Sequence, residues 1–136
     1  MKAGVRYYTK SGNTKKLADA IAKAVGVEAD TVDHQLEEDI DILFLGSSVY
    51  AAGVDDEVKK FIKEIHVKVG KVVNFSTAAL LPSTYKQVSK LVQEHGLNMS
   101  EEEFHCRGSF AMMHRGKPDD KDIQHAAIFA KKMIHE

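Results

Sequence analysis

The sequence predicts an α/β fold, a parallel sheet with helices packed on both faces. Three observations predict it. Apolar runs of strand length alternate along the chain with stretches of helical period. The run Asp41-Ile42-Leu43-Phe44-Leu45-Gly46-Ser47-Ser48 is continuously apolar through its middle, as a strand covered on both faces requires. Three segments rich in Ser, Thr, Gly and Ala (9–14, 46–53 and 76–79) follow strand-like runs, and such sheets bind ligands beyond the carboxyl ends of their strands.

The 136 residues suit one domain, 1–136, long enough to bury a core. With 43% hydrophobic and 29% charged residues, the composition is that of an ordinary globular chain. A net charge of -1 argues against non-specific attraction to nucleic acid or to an anionic membrane. No stretch approaches the roughly 20 apolar residues of a membrane span, and the first residues lack the apolar core of a signal peptide. Cys106 is the one cysteine, so no intrachain disulfide forms and a reducing, cytoplasmic setting is expected. Asn74-Phe75-Ser76 and Asn98-Met99-Ser100 match the glycosylation pattern; the first ends an apolar run and reads as chance.

Residues 3–8 form the first expected strand, in which Gly4 is a weak strand former and Arg6 is out of place in a sheet centre. A helix follows from about Thr14 to Val25, with Leu17, Ala18, Ile21 and Val25 on one face, closed by Gly26. Val27 to Asp33 alternates weakly as a second strand, and 34–40 is a connection too short for a regular helix. After the strand at 41–48, a helix from about Asp55 to Ile65 carries Val58, Phe61, Ile62 and Ile65 on one stripe. Its first turn holds Asp55, Asp56 and Glu57, where the helix dipole favours them. Lys71 to Phe75 is the fourth strand, Ser83 to Glu94 the third helix, and Glu102 to Ser109 a fifth strand with Phe104 and Cys106 on one face. The last helix runs from Asp119 to Ile134, with Pro118 just before it. This order in one chain implies parallel strands joined by right-handed crossovers.

Thr9-Lys10-Ser11-Gly12-Asn13-Thr14 lies where the first strand hands over to the first helix. Such a handover leaves backbone N–H groups without partners inside the helix, at its positive dipole end. Thr9, Ser11, Asn13 and Thr14 add side-chain donors, and Gly12 lets an anion approach the backbone. Two readings fit: a phosphate seat, or an ordinary turn capped by Ser or Asn. The spacing is neither that of a Walker loop nor that of a dinucleotide-binding turn. The seven histidines show no metal-ligand spacing. Cys106 has no second cysteine to resolve it and reads as a small strand residue. Met112-Met113-His114-Arg115 reads as a surface loop in preference to a flap over a ligand.

Val5 through Ile21 resembles the signature at the N-terminus of flavodoxins. Tyr7, Thr9, Gly12, Thr14, Ala18 and Ile21 match its pattern, and Arg6 departs from a slot that is usually hydrophobic. Gly46-Ser47-Ser48-Val49-Tyr50 resembles the second flavin loop of that family, and Phe75-Ser76-Thr77 the end of its fourth strand. Cys106-Arg107-Gly108 and the later Gly-Lys-Pro-Asp segment (116–119) resemble the C-terminal part of small flavodoxin-like proteins. The resemblance implies a three-layer fold with a five-stranded parallel sheet in order 2-1-3-4-5 and noncovalent FMN. It places the phosphate at Thr9, Lys10, Ser11, Gly12, Asn13 and Thr14. The ring falls beside Ser48, Val49, Tyr50, Ala51, Ala52 and Gly53. Ser76, Thr77 and Ala78 approach the ribityl chain or the pyrimidine edge.

Tyr50 is the candidate for stacking on the ring, and the alternative is a partly buried loop aromatic. Tyr85 either stacks from the other side or simply belongs to its helix. The implied function is electron transfer between redox partner proteins by a monomer or weak dimer. The alternative is an FMN-dependent oxidoreductase, a quinone reductase or a protoporphyrinogen-oxidase-like enzyme. A phospho-acceptor receiver domain would need acids at the ends of the first and third strands, where Thr9 and Ser47 stand. Segments 46–54 and 76–85 contain no acid. One charge about 8 Å from the ring, at an effective dielectric of about 20, is worth roughly 2 kcal/mol, or about 90 mV per electron. A reduction potential less negative than that of a strongly acidic flavodoxin is therefore expected.

Overall fold

The computed structural model describes residues 1–10, 12–49, 54–78, 83–107 and 118–135. Nine elements follow in order: β1 (Ala3–Tyr7), α1 (Asn13–Val25), β2 (Ala29–Thr31), β3 (Ile40–Val49), α2 (Asp56–Lys63), β4 (Val69–Ala78), α3 (Tyr85–Glu94), β5 (Phe104–Arg107) and α4 (Asp120–Ile134). The strands form one sheet in order β2-β1-β3-β4-β5, every pair parallel. The two-residue period of β3 divides its apolar run between two cores. Leu43 and Leu45 join Val58, Phe61, Ile62, Val88 and Val92 beneath α2 and α3. Ile42 and Phe44 join Leu17, Ile21, Ala126, Ala130 and Met133 beneath α1 and α4. Both sets are almost wholly buried, and each large side chain removed from water contributes about 1.5–3 kcal/mol.

The helix ends follow local chemistry. Gly26 closes α1 at φ +78°, and the N–H groups of Gly26 and Val27 both reach Ala22 O. Asp119 proves to be the N-cap of α4 and not its first residue. Its side chain accepts from Asp122 N–H at 3.0 Å, and its own N–H donates to the Asp122 carboxylate at 2.9 Å. The 34–39 connection is irregular, as its length demands, and is pinned by buried Leu36 and by Gln35, whose amide donates to Phe61 O at 3.1 Å.

Two boundaries differ in a way that matters for the site. β4 runs past the expected Phe75 through Ser76 and Thr77 to Ala78, so these residues extend a strand instead of opening a loop, and β3 runs one residue past the expected Ser48 to Val49. The two strands pair residue for residue, Ser47 with Ser76, Ser48 with Thr77 and Val49 with Ala78. Backbone pairing outlasts the apolar pattern because small polar side chains leave the ladder intact and satisfy one another. Elsewhere β2 is shorter than expected, and β5 begins at Phe104; residues 108 and 109 of the expected strand lie outside the described residues. Arg6 is accommodated at half burial, donating through Nε to His34 O at 2.8 Å and through a terminal nitrogen to Val5 O at 3.1 Å.

Candidate functional site

The carboxyl ends of β1, β3 and β4 lie side by side, and the start of α1 sits over them. Gly12 is the residue before α1, at φ +87°, a backbone shape that favours glycine. The turn is closed by Gly12 N–H donating to Thr9 Oγ1 at 3.1 Å. No side chain among the described residues caps α1, and its first turn carries no acid. A Cβ built on Gly12 would meet nothing within 4 Å. The first N–H groups of α1, behind a left-handed Gly12 with no described atom against its Cβ position, are of the kind that binds a phosphate ester.

Thr14 ties this concavity to the other two strand ends. It is fully buried, and its hydroxyl donates to Ser47 O at 3.3 Å and lies 3.0 Å from Thr77 Oγ1. Thr77 points to the α1 face of the sheet. Ser47 and Ser76 point to the opposite face, where Ser47 Oγ donates to Thr84 Oγ1 at 2.9 Å and Ser76 Oγ accepts from Thr84 N–H at 3.4 Å. Three segments distant in sequence are thus joined by buried hydroxyls at one edge of the sheet.

Lys10 is exposed and pairs at 3.3 Å with Asp55, the residue before α2. The hydrogen bond and the charge of Asp55 raise the lysine pKa above its usual 10.5. The cation thus links the first loop to the start of α2. A groove of about 590 Å³ opens beside Thr9, between the segment after β2 and α2. Its rim sets Asp33, Glu57 and Glu64 against Lys15 and Lys60, so an anion there meets carboxylates. The helix start is the better seat.

Of the residues singled out from sequence, the structure brings Thr9, Lys10, Gly12, Asn13 and Thr14 together and sets the backbones of Ser48, Val49, Ser76, Thr77 and Ala78 alongside. Ser11, Tyr50, Ala51, Ala52 and Gly53, and the 110–117 segment with Met112 to Arg115, lie outside the described residues. Tyr85 belongs to its helix: it opens α3, and its hydroxyl donates to Ser100 O at 2.7 Å. Gly46 serves packing, because a Cβ there would fall 2.3 Å from two ring atoms of Phe75. Among the described residues no cluster of histidine, cysteine and carboxylate could hold a metal ion, and no helix is long and apolar enough to cross a membrane.

Asn74, Ser83, Thr84 and Glu103 were not singled out, yet they brace the strand ends from below. Asn74 is fully buried, and its amide exchanges hydrogen bonds with Thr84 Oγ1 at 3.1 and 3.3 Å. A signal existed: an asparagine inside the run Val72-Val73-Asn74-Phe75 must find partners if the strand is covered on both faces. Burial also agrees with reading its glycosylation pattern as chance.

Residues 4–136 match the family model described as a flavodoxin domain. An uncharacterized protein of Methanocaldococcus jannaschii is 27% identical, over 90% of each chain. Among solved structures, a flavodoxin from the domain Archaea superposes with a TM-score of 0.80 at 20% identity, covering 99% of this chain and 97% of that one. Oxidised flavodoxin 1 of Bacillus cereus gives 0.73 at 19% identity, covering 100% and 99%.

Proposed function

This chain belongs to the flavodoxin domain family, and from that membership and its convergent strand ends we propose that it binds FMN noncovalently and carries electrons between partner proteins. The observation that carries the reading is Thr14, a buried hydroxyl that holds the start of α1 against the ends of β3 and β4. Thr9, Lys10, Ser11, Gly12, Asn13 and Thr14 would surround the phosphate, Ser48 to Gly53 with Tyr50 would flank the ring, and Ser76, Thr77 and Ala78 would meet the ribityl chain or the pyrimidine edge.

When bound, FMN supplies one- and two-electron redox chemistry. The protein's part is orientation and electrostatics. Backbone amides at the start of α1 and the hydroxyl-rich turn fix the phosphate, and the α1 dipole adds to the attraction. Lys10 contributes less, since Asp55 already holds its ammonium group. The hydroxyls of Thr14 and Thr77 keep the strand ends in register beneath the ligand.

The visible spectrum of the purified full chain tests the proposal. Flavin bands that acid releases into solution, with the released flavin identified as FMN by mass, are expected. A protein that stays colourless after incubation with FMN refutes it. Turnover of NADPH with quinones well above the rate of free FMN would replace the carrier with an oxidoreductase.

A further inference from the structure

A buried polar cluster braces the strand ends on the α2 and α3 side of the sheet. Ser47, Asn74, Ser76 and Thr84 are each nearly or fully inaccessible to solvent. Thr84 occupies the N-cap position of α3 but does not cap it. Its hydroxyl instead donates to Asn74 Oδ1 and accepts from Ser47 Oγ and Asn74 Nδ2, reaching across to two strands. A threonine at a helix start ordinarily serves its own helix. Here the bond is spent on fastening that start to the ends of β3 and β4.

One charged group completes the cluster. The Glu103 side chain, 19% exposed, arrives from the residue before β5. Its Oε1 accepts from Ser83 Oγ at 2.6 Å and is approached by Asn74 Nδ2 at 3.5 Å, while His105 Nδ1 lies 3.5 Å from Oε2. Bonds to a carboxylate are shorter and stronger than neutral ones, and the Ser83 contact has that length. Ser83 in turn accepts from Tyr85 N–H at 3.0 Å, so the carboxylate holds the first residues of α3 through one short bond.

We propose that Glu103 is a positioning residue for the flavin: as hydrogen-bond acceptor for Ser83 and Asn74 it fixes the start of α3 against β3 and β4, and so sets the ring end of the site. This role rests on the FMN reading above. It concerns the ring and ribityl end, separate from the phosphate seat at α1, and that separation gives the test.

Apo full chain is titrated with FMN and with riboflavin, which lacks the phosphate, while flavin fluorescence is followed. Wild type is expected to bind both, FMN more tightly. Glu103→Ala is expected to weaken both by a similar factor of about ten, leaving their ratio unchanged. Glu103→Gln keeps an acceptor oxygen for Ser83 and is expected to return both affinities to within about threefold of wild type. Ser83→Ala, which keeps the carboxylate, is expected to weaken both flavins less, and it serves as the test if Glu103→Ala does not fold. The role is overturned if Glu103→Ala lowers the melting temperature but leaves both affinities unchanged well below melting, or if the loss is confined to FMN. It is also overturned if Glu103→Gln is as weak as Glu103→Ala. A wild-type chain that binds neither flavin removes the FMN reading itself; one that binds both, with unaffected variants, removes this role alone.

Discussion

Thr14→Val is the sharpest probe of how the strand ends are held. Valine matches threonine in shape, so the substitution removes a hydroxyl and leaves almost no cavity. In the folded protein that hydroxyl meets Ser47 O at 3.3 Å and Thr77 Oγ1 at 3.0 Å, at a site with no solvent access. Water cannot replace it. Each buried polar group deprived of its partner costs about 1–3 kcal/mol, and two are affected. A loss of about 2–6 kcal/mol follows, on the order of 10 °C or more in melting temperature for a chain of this size. Urea denaturation of the apo protein measures it independently of any cofactor. Thr14→Val/Thr77→Val removes both hydroxyls of the 3.0 Å contact. The double variant should be less destabilised than the sum of the singles, with a coupling of about 1 kcal/mol. Stability within about 0.5 kcal/mol of wild type for Thr14→Val, or strict additivity, would refute the reasoning.

Gly46→Ala sets a methyl group against the buried ring of Phe75 and should cost about 1–3 kcal/mol by denaturation, part of it recovered in Gly46→Ala/Phe75→Leu. A Cβ on Gly12 would meet nothing within 4 Å, so Gly12→Val should cost the apo protein at least the left-handed backbone penalty, about 1–2 kcal/mol, while FMN affinity should fall severely. Lys10→Ala should weaken FMN only modestly in the same titration, because its cation is already paired with Asp55; the reverse ranking of these two variants would mean that the seat has been misplaced. Asp33 is held below its usual 3.8 by the hydroxyl of Thr31 and then by its own backbone N–H. Its folded value is depressed, so the stability it contributes is present above 3.8 and lost as pH falls through the lower folded value. Carboxyl titration by NMR should place Asp33 below 3.8, and Thr31→Val should move it back towards 3.8.

Much of the architecture was legible because the relevant signals are local. The two-sided apolar run of β3, the helical stripe of α1 ending in Gly26, and the Pro118-Asp119 start of α4 each depend on residues close in sequence. The first loop could be recognised for the same reason: Thr9 to Thr14 is one contiguous turn. The end of β4 was misjudged because Ser76 and Thr77 look like loop by composition. Their pairing is decided by the neighbouring strand.

By itself the sequence determined a doubly covered parallel sheet with a phosphate-like turn at its first strand end. Tertiary structure alone decided what stands around that turn. Counting acids in segments 46–54 and 76–85 finds none, yet the fold delivers Asp55 to Lys10 and Glu103 to Ser83. It likewise joins Thr14 to Thr77, 63 positions apart. Hydrogen bonds act over about 3 Å in space. No spacing along a chain reports which residues a crossover will bring within that reach.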